Sequence, residues 1–540
     1  MGLMRYCVLA AALGLAATSC ALTLDFDTNR GKGAGTGTGA GGGTAGGAGG
    51  AGGEAPAAEG WVASLVADTP GSSVRMQSVA VIGDRTLVGG YYIGESLSVR
   101  DAAGTDSPLH TGEFSLTTFV LALDASGNFA GFTPIARSNV DEIDVDSWGA
   151  TRIFDRGDGR VLVASAVRAG ETLVDGSPVP SASWNLVLGE LDAAGAFSWA
   201  SRCAVAPFFE ESPAHMGARF SGFTRNADGT VLFGTTVDAT AGVACETLIG
   251  DAGAGDCDVV LSRSTQSAQI WSIADGGACA SVAGIFTENS NNETAPVWLD
   301  GLAGTAGPDV MVGGRLNFGG VTVQPWGASI GDAQSYGLAG TLQPNGSATS
   351  ANLQALPDAA STVLVGPEER FAGSVINEEG ALDLLIGKRG ETPLLLGSSH
   401  PLKSEAALAL SVDGGAMLIG GWMTDGSSMA EDVCGPGCVG DLPPTGPTDC
   451  EVDVLKHDGF WLLVQAGTTP GLAAVGRPIG GCLEQRVVAG HLGTDTMHLV
   501  LEIDGSATID LLDGDTVAVD IPPQRTGAAV VMLPRPALGN

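Results

Sequence analysis

The chain has 540 residues, 44% of them hydrophobic and 16% charged, with a formal net charge of −35. Asp plus Glu outnumber Lys plus Arg by 60 to 25 and no basic run occurs, which argues against a nucleic-acid surface, since phosphate binding needs clustered Lys and Arg. The 83 glycines, with many Val, Leu and Thr, fit a β protein rich in tight turns. The acidity reads as solubility of an extracellular surface, or as attraction for cations or basic partners.

Met1 to Ser19 reads as a signal peptide, with Arg5 in the positive n-region and Tyr6 to Ala17 as the apolar run. That run is too short to span a bilayer. The stretch Ala17-Thr18-Ser19-Cys20 resembles the lipobox of bacterial lipoproteins, in which the lipidated cysteine becomes the mature N-terminus. Ala17 stands where that motif favours Leu. The alternative is ordinary cleavage, with Cys20 incidental. Gly31 to Gly60 is dominated by Gly, Ala and Thr and cannot bury a core. As coil, Ala21 to Glu59 spans on the order of 35 Å. Residues 20–60 are therefore expected to be a lipidated cysteine and tether. Ala21, by resemblance to sorting rules of some Gram-negative bacteria, points to the outer membrane. No later stretch reads as a transmembrane helix.

From Trp61 a pattern recurs: a turn with Asp or Gly, then a short β run ending in small residues. Its copies begin at Asp84-Arg85-Thr86, Asp158-Gly159-Arg160, Asp228-Gly229-Thr230, Asp309-Val310, Glu369-Arg370, Asp413-Gly414-Gly415 and Asp495-Thr496. Such turns before β-formers are hairpin signals. A second hairpin follows most copies, as in Phe119–Gly127 and Leu186–Gly195. Further versions are Val259–Leu261 before Trp271, Leu338–Leu342, Leu384–Ile386 and Val452–Gly459 before Trp461. Two hairpins per unit give four strands. Four-stranded units repeated radially are the plan of a β-propeller. The expectation is all-β: one propeller over 61–540, with seven four-stranded blades. The last unit ends on Ala529–Leu533, so Trp61–Val66 is expected to supply its missing outer strand and leave no open edge.

These residues resemble the β-propeller repeats of secreted bacterial proteins, from Trp61 to about Pro536, with the first three units matching well. Composition and tether also look like lipoproteins of myxobacteria and other GC-rich bacteria. The resemblance implies a fold and an extracellular setting, and no chemistry. The runner-up fold is a pair of β-sandwich domains.

Apart from Cys7 and Cys20, an even set of cysteines in an exported chain reads as disulfides. Cys245 and Cys257 flank one Gly-rich loop, and Cys438 and Cys450 flank a similar one, so each pair is expected as a loop staple. Cys203 and Cys279 follow Trp199 and Trp271 and are expected to pair, leaving Cys434 with Cys482. Cys434-x3-Cys438 as half a zinc site finds no second Cys/His pair of zinc spacing, with His457 and His491 standing alone. No metal site is expected.

Gly327-Ala328-Ser329-Ile330-Gly331 matches the hydrolase nucleophile pattern but lacks the strand–turn–helix context that pattern needs. No catalytic residue is assigned. Asp141 to Asp146 alternates carboxylates with apolar residues. It reads as a solvated strand face, or as a calcium site. No other cofactor is expected.

The first functional reading is a non-enzymatic, surface-anchored binding module for a protein or polysaccharide, expected to be a monomer. The inserts Glu95–Thr117 and Met429–Cys450 are its expected contact regions. The second is a glycan lyase or hydrolase using channel carboxylates, recognisable by paired carboxylates with raised pKa. The third is a structural envelope component.

Overall fold

A computed structural model describes residues 59–138, 150–157, 159–167, 170–174, 179–181, 185–203, 209–210, 217–218, 220–238, 245–250, 266–288, 297–307, 309–316, 320–324, 328–330, 336–342, 352–355, 360–378, 380–396, 404–424, 457–465, 473–481, 483–512 and 515–536. The compact unit runs from Ala58 to Asn540. It is all-β, with strands in a propeller-like arrangement. Among the described residues no helix is long and apolar enough to cross a membrane.

The strands fall into successive antiparallel groups of four. Group I comprises Ser73–Ile82, Arg85–Arg100, Asp106–Leu123 and Phe129–Ser138. Group II comprises Ala150–Gly157, Arg160–Val167, Asn185–Leu191 and Phe197–Cys203. Group III comprises Phe220–Arg225, Val231–Asp238, Gln266–Ile273 and Cys279–Glu288. Group IV comprises Val297–Gly304, Val310–Leu316, Tyr336–Leu342 and Asn352–Ala355. Group V comprises Ala360–Gly366, Arg370–Ile376, Leu382–Lys388 and Leu394–Leu396. Group VI comprises Glu405–Asp413, Ala416–Thr424, His457–Gln465 and Ala473–Gly481. Group VII takes Gln485–Leu492, Thr496–Asp504 and Thr526–Pro534 from the end of the chain and Trp61–Ala67 from its beginning.

Every recurring turn-and-run copy in the sequence lands on a second strand. The third strands of groups III and VI lie later than expected, at Gln266–Ile273 and His457–Gln465. Trp271 and Trp461 sit inside these strands, 0% and 2% exposed, so the large buried ring rather than the preceding aliphatic run marks the strand. Val259–Leu261 and Val452–Leu455 lie outside the described residues.

Two local devices recur. The turns between third and fourth strands of groups I to III close by one scheme: Asp124 N donates to Asn128 O and Gly127 N to Asp124 O, repeated at Asp192–Ala196 and Ala274–Ala278, and the same scheme closes the turn between the second and third strands of group V at Asn377–Ala381. The fourth position of each is a glycine with positive φ, such as +77° at Gly127, which is why the motif reads Asp-x-x-Gly. The first strands of groups I and III to VII each carry one extra residue opposite the second strand: Gln77, Ser221, Asp300, Ser361, Leu408 or Val488. In groups I and IV the extra residue turns a side-chain acceptor toward the next group. Gln77 Oε1 accepts from Thr151 N at 2.8 Å, and Asp300 Oδ2 from Val363 N at 3.0 Å. These bonds satisfy backbone donors that the strand ladder leaves unpaired.

A further rule links neighbouring groups: the connection between second and third strands adds strands to the outer edge of the preceding group. The hairpin Gly170–Thr172 and Val179–Ser181 of group II pairs with Phe129–Ser138. Cys245–Ile249 of group III pairs with Phe197–Cys203. Gly320–Gln324 and Ala328–Ile330 of group IV extend Cys279–Glu288. Ser506–Asp510 and Thr516–Asp520 of group VII extend Ala473–Gly481. In group I the prolonged second strand pairs with Trp61–Ala67, Ser64 opposite Arg100. Each added strand covers donors and acceptors that an edge would expose. Glu95–Thr117, expected as a contact insert, is therefore largely the far end of this hairpin, bound to the chain's own first strand. Met429–Cys450 lies outside the described residues.

Candidate functional site

Charged side chains converge around a cleft where group I meets group VII. Arg75 is near the start of the first strand of group I, and Arg486 near the start of the first strand of group VII. Glu502 and Asp504 end the antiparallel second strand of group VII, which places Arg486 opposite Glu502. Thr526 opens the third strand and pairs in parallel with Ser73, drawing the two groups together. Arg75, Glu484, Arg486, Glu502, Asp504 and Thr526 line a shallow cleft.

Inside it, Arg75 Nη1 donates to Glu502 Oε2 at 2.6 Å, with the side chains 19% and 12% exposed. Arg486 Nη2 donates to Glu484 Oε2 at 2.5 Å. His457 Nδ1 lies 3.3 Å from Glu484 Oε1, and its ring packs 4.3 Å from that of Trp422. Burial alone would lower the Arg75 guanidinium, but the adjoining Glu502 carboxylate raises it above its usual range. The hydrogen bond from His457 outweighs burial and, with the charge of Arg486, holds Glu484 down at about 2. Asp504 is pushed up by burial, with the Arg75 charge opposing and the Glu484 charge adding. The cleft thus offers two carboxylates fixed by guanidinium groups and one carboxyl that takes a proton more readily. Such a mosaic can orient a polar ligand by charge and hydrogen bonding.

The sequence singled out none of these residues except His457. The available signal was the alternation Glu484-x-Arg486 and Glu502-x-Asp504 in strands that pair, which requires knowing the pairing. His457 and His491 do not stand alone: the first meets Glu484 and Trp422, the second His498 at 6.2 Å between ring centroids.

The cysteine pairing differs from expectation. Cys203 is bonded to Cys245, not to Cys279, and Cys245 is therefore not paired with Cys257. The reason is the added strand: Cys245 stands directly opposite Cys203, with Cα atoms 4.0 Å apart, so the link joins the connection of group III to the outer strand of group II. Cys279 is also disulfide-bonded. Cys20, Cys257, Cys434, Cys438, Cys450 and Cys482 lie outside the described residues, as does the Asp141–Asp146 run offered for calcium. Among the described residues no three His, Cys, Asp or Glu side chains converge as metal ligands would. Ser329 lies in the strand Ala328–Ile330, opposite Thr322 of a hairpin, and not at a strand-to-helix elbow.

The sequence matches no family model and no curated protein. Among solved structures it is similar to a Mycobacterium tuberculosis puromycin-hydrolyzing peptidase, at 11% identity and a TM-score of 0.32. The match covers 79% of this chain and spans 58% of that one.

Proposed function

We propose that the chain is an exported lipoprotein, anchored through Cys20 at the outer membrane and held off it by the glycine-rich tether. Its β domain is a non-catalytic module that binds a protein or polysaccharide. The groups are taken as seven blades of one closed ring. In support, the first strands adjoin in cyclic order: that of group I lies beside that of group II, and so on to group VII, which lies beside group I again.

The observation that carries the binding reading is the cleft between groups I and VII. Its Glu502 and Glu484 are preorganised by Arg75 and Arg486, so recognition of a polar ligand needs little rearrangement. The test is binding of the purified full chain to a glycan array and to cell-surface extract, beside Glu484→Ala and Asp504→Ala. Binding by the parent that drops at least tenfold in both variants, with unchanged circular dichroism, is expected. Binding untouched by both, or none to either source, overturns it. Fatty-acid labelling lost in Cys20→Ser tests the anchor.

One observation favours the enzymatic reading. Asp504 is raised and Glu484 lowered within one cleft, and divergent carboxyl pKa values are how sites divide acid from base. Release of reducing ends from polysaccharide, abolished by Asp504→Asn, would replace the binding module by a glycan hydrolase.

A further inference from the structure

At one place the ring is closed without continuity of the chain, by pairing of Thr526–Pro534 with Trp61–Ala67, with the Arg75–Glu502 ion pair beside it. Everywhere else the chain itself passes from one group to the next. His498 spans that joint. It sits on the second strand of group VII and is 5% exposed. Its Nδ1 lies 3.1 Å from Thr86 Oγ1 of group I, and its Nε2 lies 3.4 Å from Thr496 Oγ1. The edge of its ring meets Trp61 of the closing strand, centroids 6.0 Å apart. His491, on the first strand of group VII, stands directly opposite His498.

We propose that this joint is an acid-opened latch, in which protonation of His498 and His491 parts the closing strand from the C-terminal strand. The inference rests on the strand pairing and not on the binding reading. Each ring nitrogen faces a threonine hydroxyl, which can serve either protonation state. The charge itself is what the buried site disfavours. Among the described residues no carboxylate hydrogen-bonds to His498, and its ionisable neighbour is His491 itself, so a second proton adds a like charge in a buried place. The charges facing His491 are Asp413, from the first strand of group VI, and Asp155, from the first strand of group II. Asp413 is already engaged by Arg535 at 2.7 Å. Burial, with the charge of His491, lowers His498 to about 4, and burial lowers His491 despite both aspartates.

The sign follows from linkage. A histidine depressed in the fold binds its proton more readily when the joint is open, so closure is full above the ordinary value and is lost as pH falls through the depressed one. For His498 alone the equilibrium shifts on the order of a hundredfold between pH 7 and pH 4.

The experiment is hydrogen exchange read by mass spectrometry on the full chain at both pH values, corrected for intrinsic rates. Protection of Trp61–Ala67 and Thr526–Pro534 is expected to fall about a hundredfold relative to Val310–Leu316, and to return at pH 7. In His498→Gln, which keeps hydrogen bonding without titrating in this range, the fall shrinks to under about tenfold. His498→Asn serves where that variant does not fold. Undiminished protection at the joint at pH 4, equal loss in every group, or an equal fall in the variant overturns the latch.

Discussion

The packing of the closing strand can be tested at a glycine. Gly127 adopts a φ of +77° in the turn between the third and fourth strands of group I. A Cβ there would come within 2.6 Å of Trp61 Cδ2 and 2.9 Å of Ala102 Cβ. Trp61 is 7% exposed, and its Nε1 donates to Ala125 O at 3.1 Å in the same turn. Gly83 has a comparable φ of +62° with nothing within 4 Å of the same position, so it supplies the control. Gly83→Ala should cost only the left-handed backbone, about 1 kcal/mol. Gly127→Ala should add overpacking of about 2 kcal/mol, for a total near 3 kcal/mol. Urea unfolding followed by far-ultraviolet circular dichroism reads both. In a Trp61→Ala background the ring is gone, and the extra cost should shrink to about 1 kcal/mol or less, from Ala102 alone. Equal costs at the two glycines, or an excess that survives the loss of Trp61, would refute the placement of Trp61 on this turn.

Other consequences are more direct. Non-reducing peptide mapping should recover Cys203 joined to Cys245, and a Cys203–Cys279 peptide would contradict the added strand. Asp300→Ala should destabilise by about 3 kcal/mol, because it removes the buried carboxylate that accepts from the 8%-exposed Arg315 at 3.1 Å and from Val363 N at 3.0 Å; calorimetry checks it. Glu484, depressed in the fold, contributes stability that is complete above its ordinary value near 4.5 and lost as pH falls toward about 2. Glu484→Gln should therefore flatten the acid limb of a stability–pH curve in that window. Leu395→Lys, at a position 54% exposed, should change stability by less than about 0.5 kcal/mol in urea unfolding.

Much of the fold was legible because the repeat writes it locally. Asp-x-x-Gly turns and Gly-ended second strands report backbone geometry that a single segment determines. Pairing of Trp61–Ala67 with the last strand was legible for a different reason: the last copy of the pattern offers three strand signals, and the β run at Trp61–Val66 precedes the first copy with no place in it. What lay hidden depends on neighbours. The connection carrying Cys245 reads as a loop until its register against Phe197–Cys203 is known, and that register is what brings Cys203 to Cys245. The cleft is hidden in the same way, since Arg75 and Glu502 are far apart in sequence and meet only because the two ends of the domain join. Third strands were misplaced where an aliphatic run preceded the strand that holds the tryptophan.

The account stands or falls on that joining of the ends. Val62 and Val531 are opposed in register on the first and last strands. In the double variant Val62→Cys, Val531→Cys, oxidised and digested without reduction, the account predicts one peptide pair linking the two positions in the monomer. Both new thiols free to alkylation in the folded protein would contradict it.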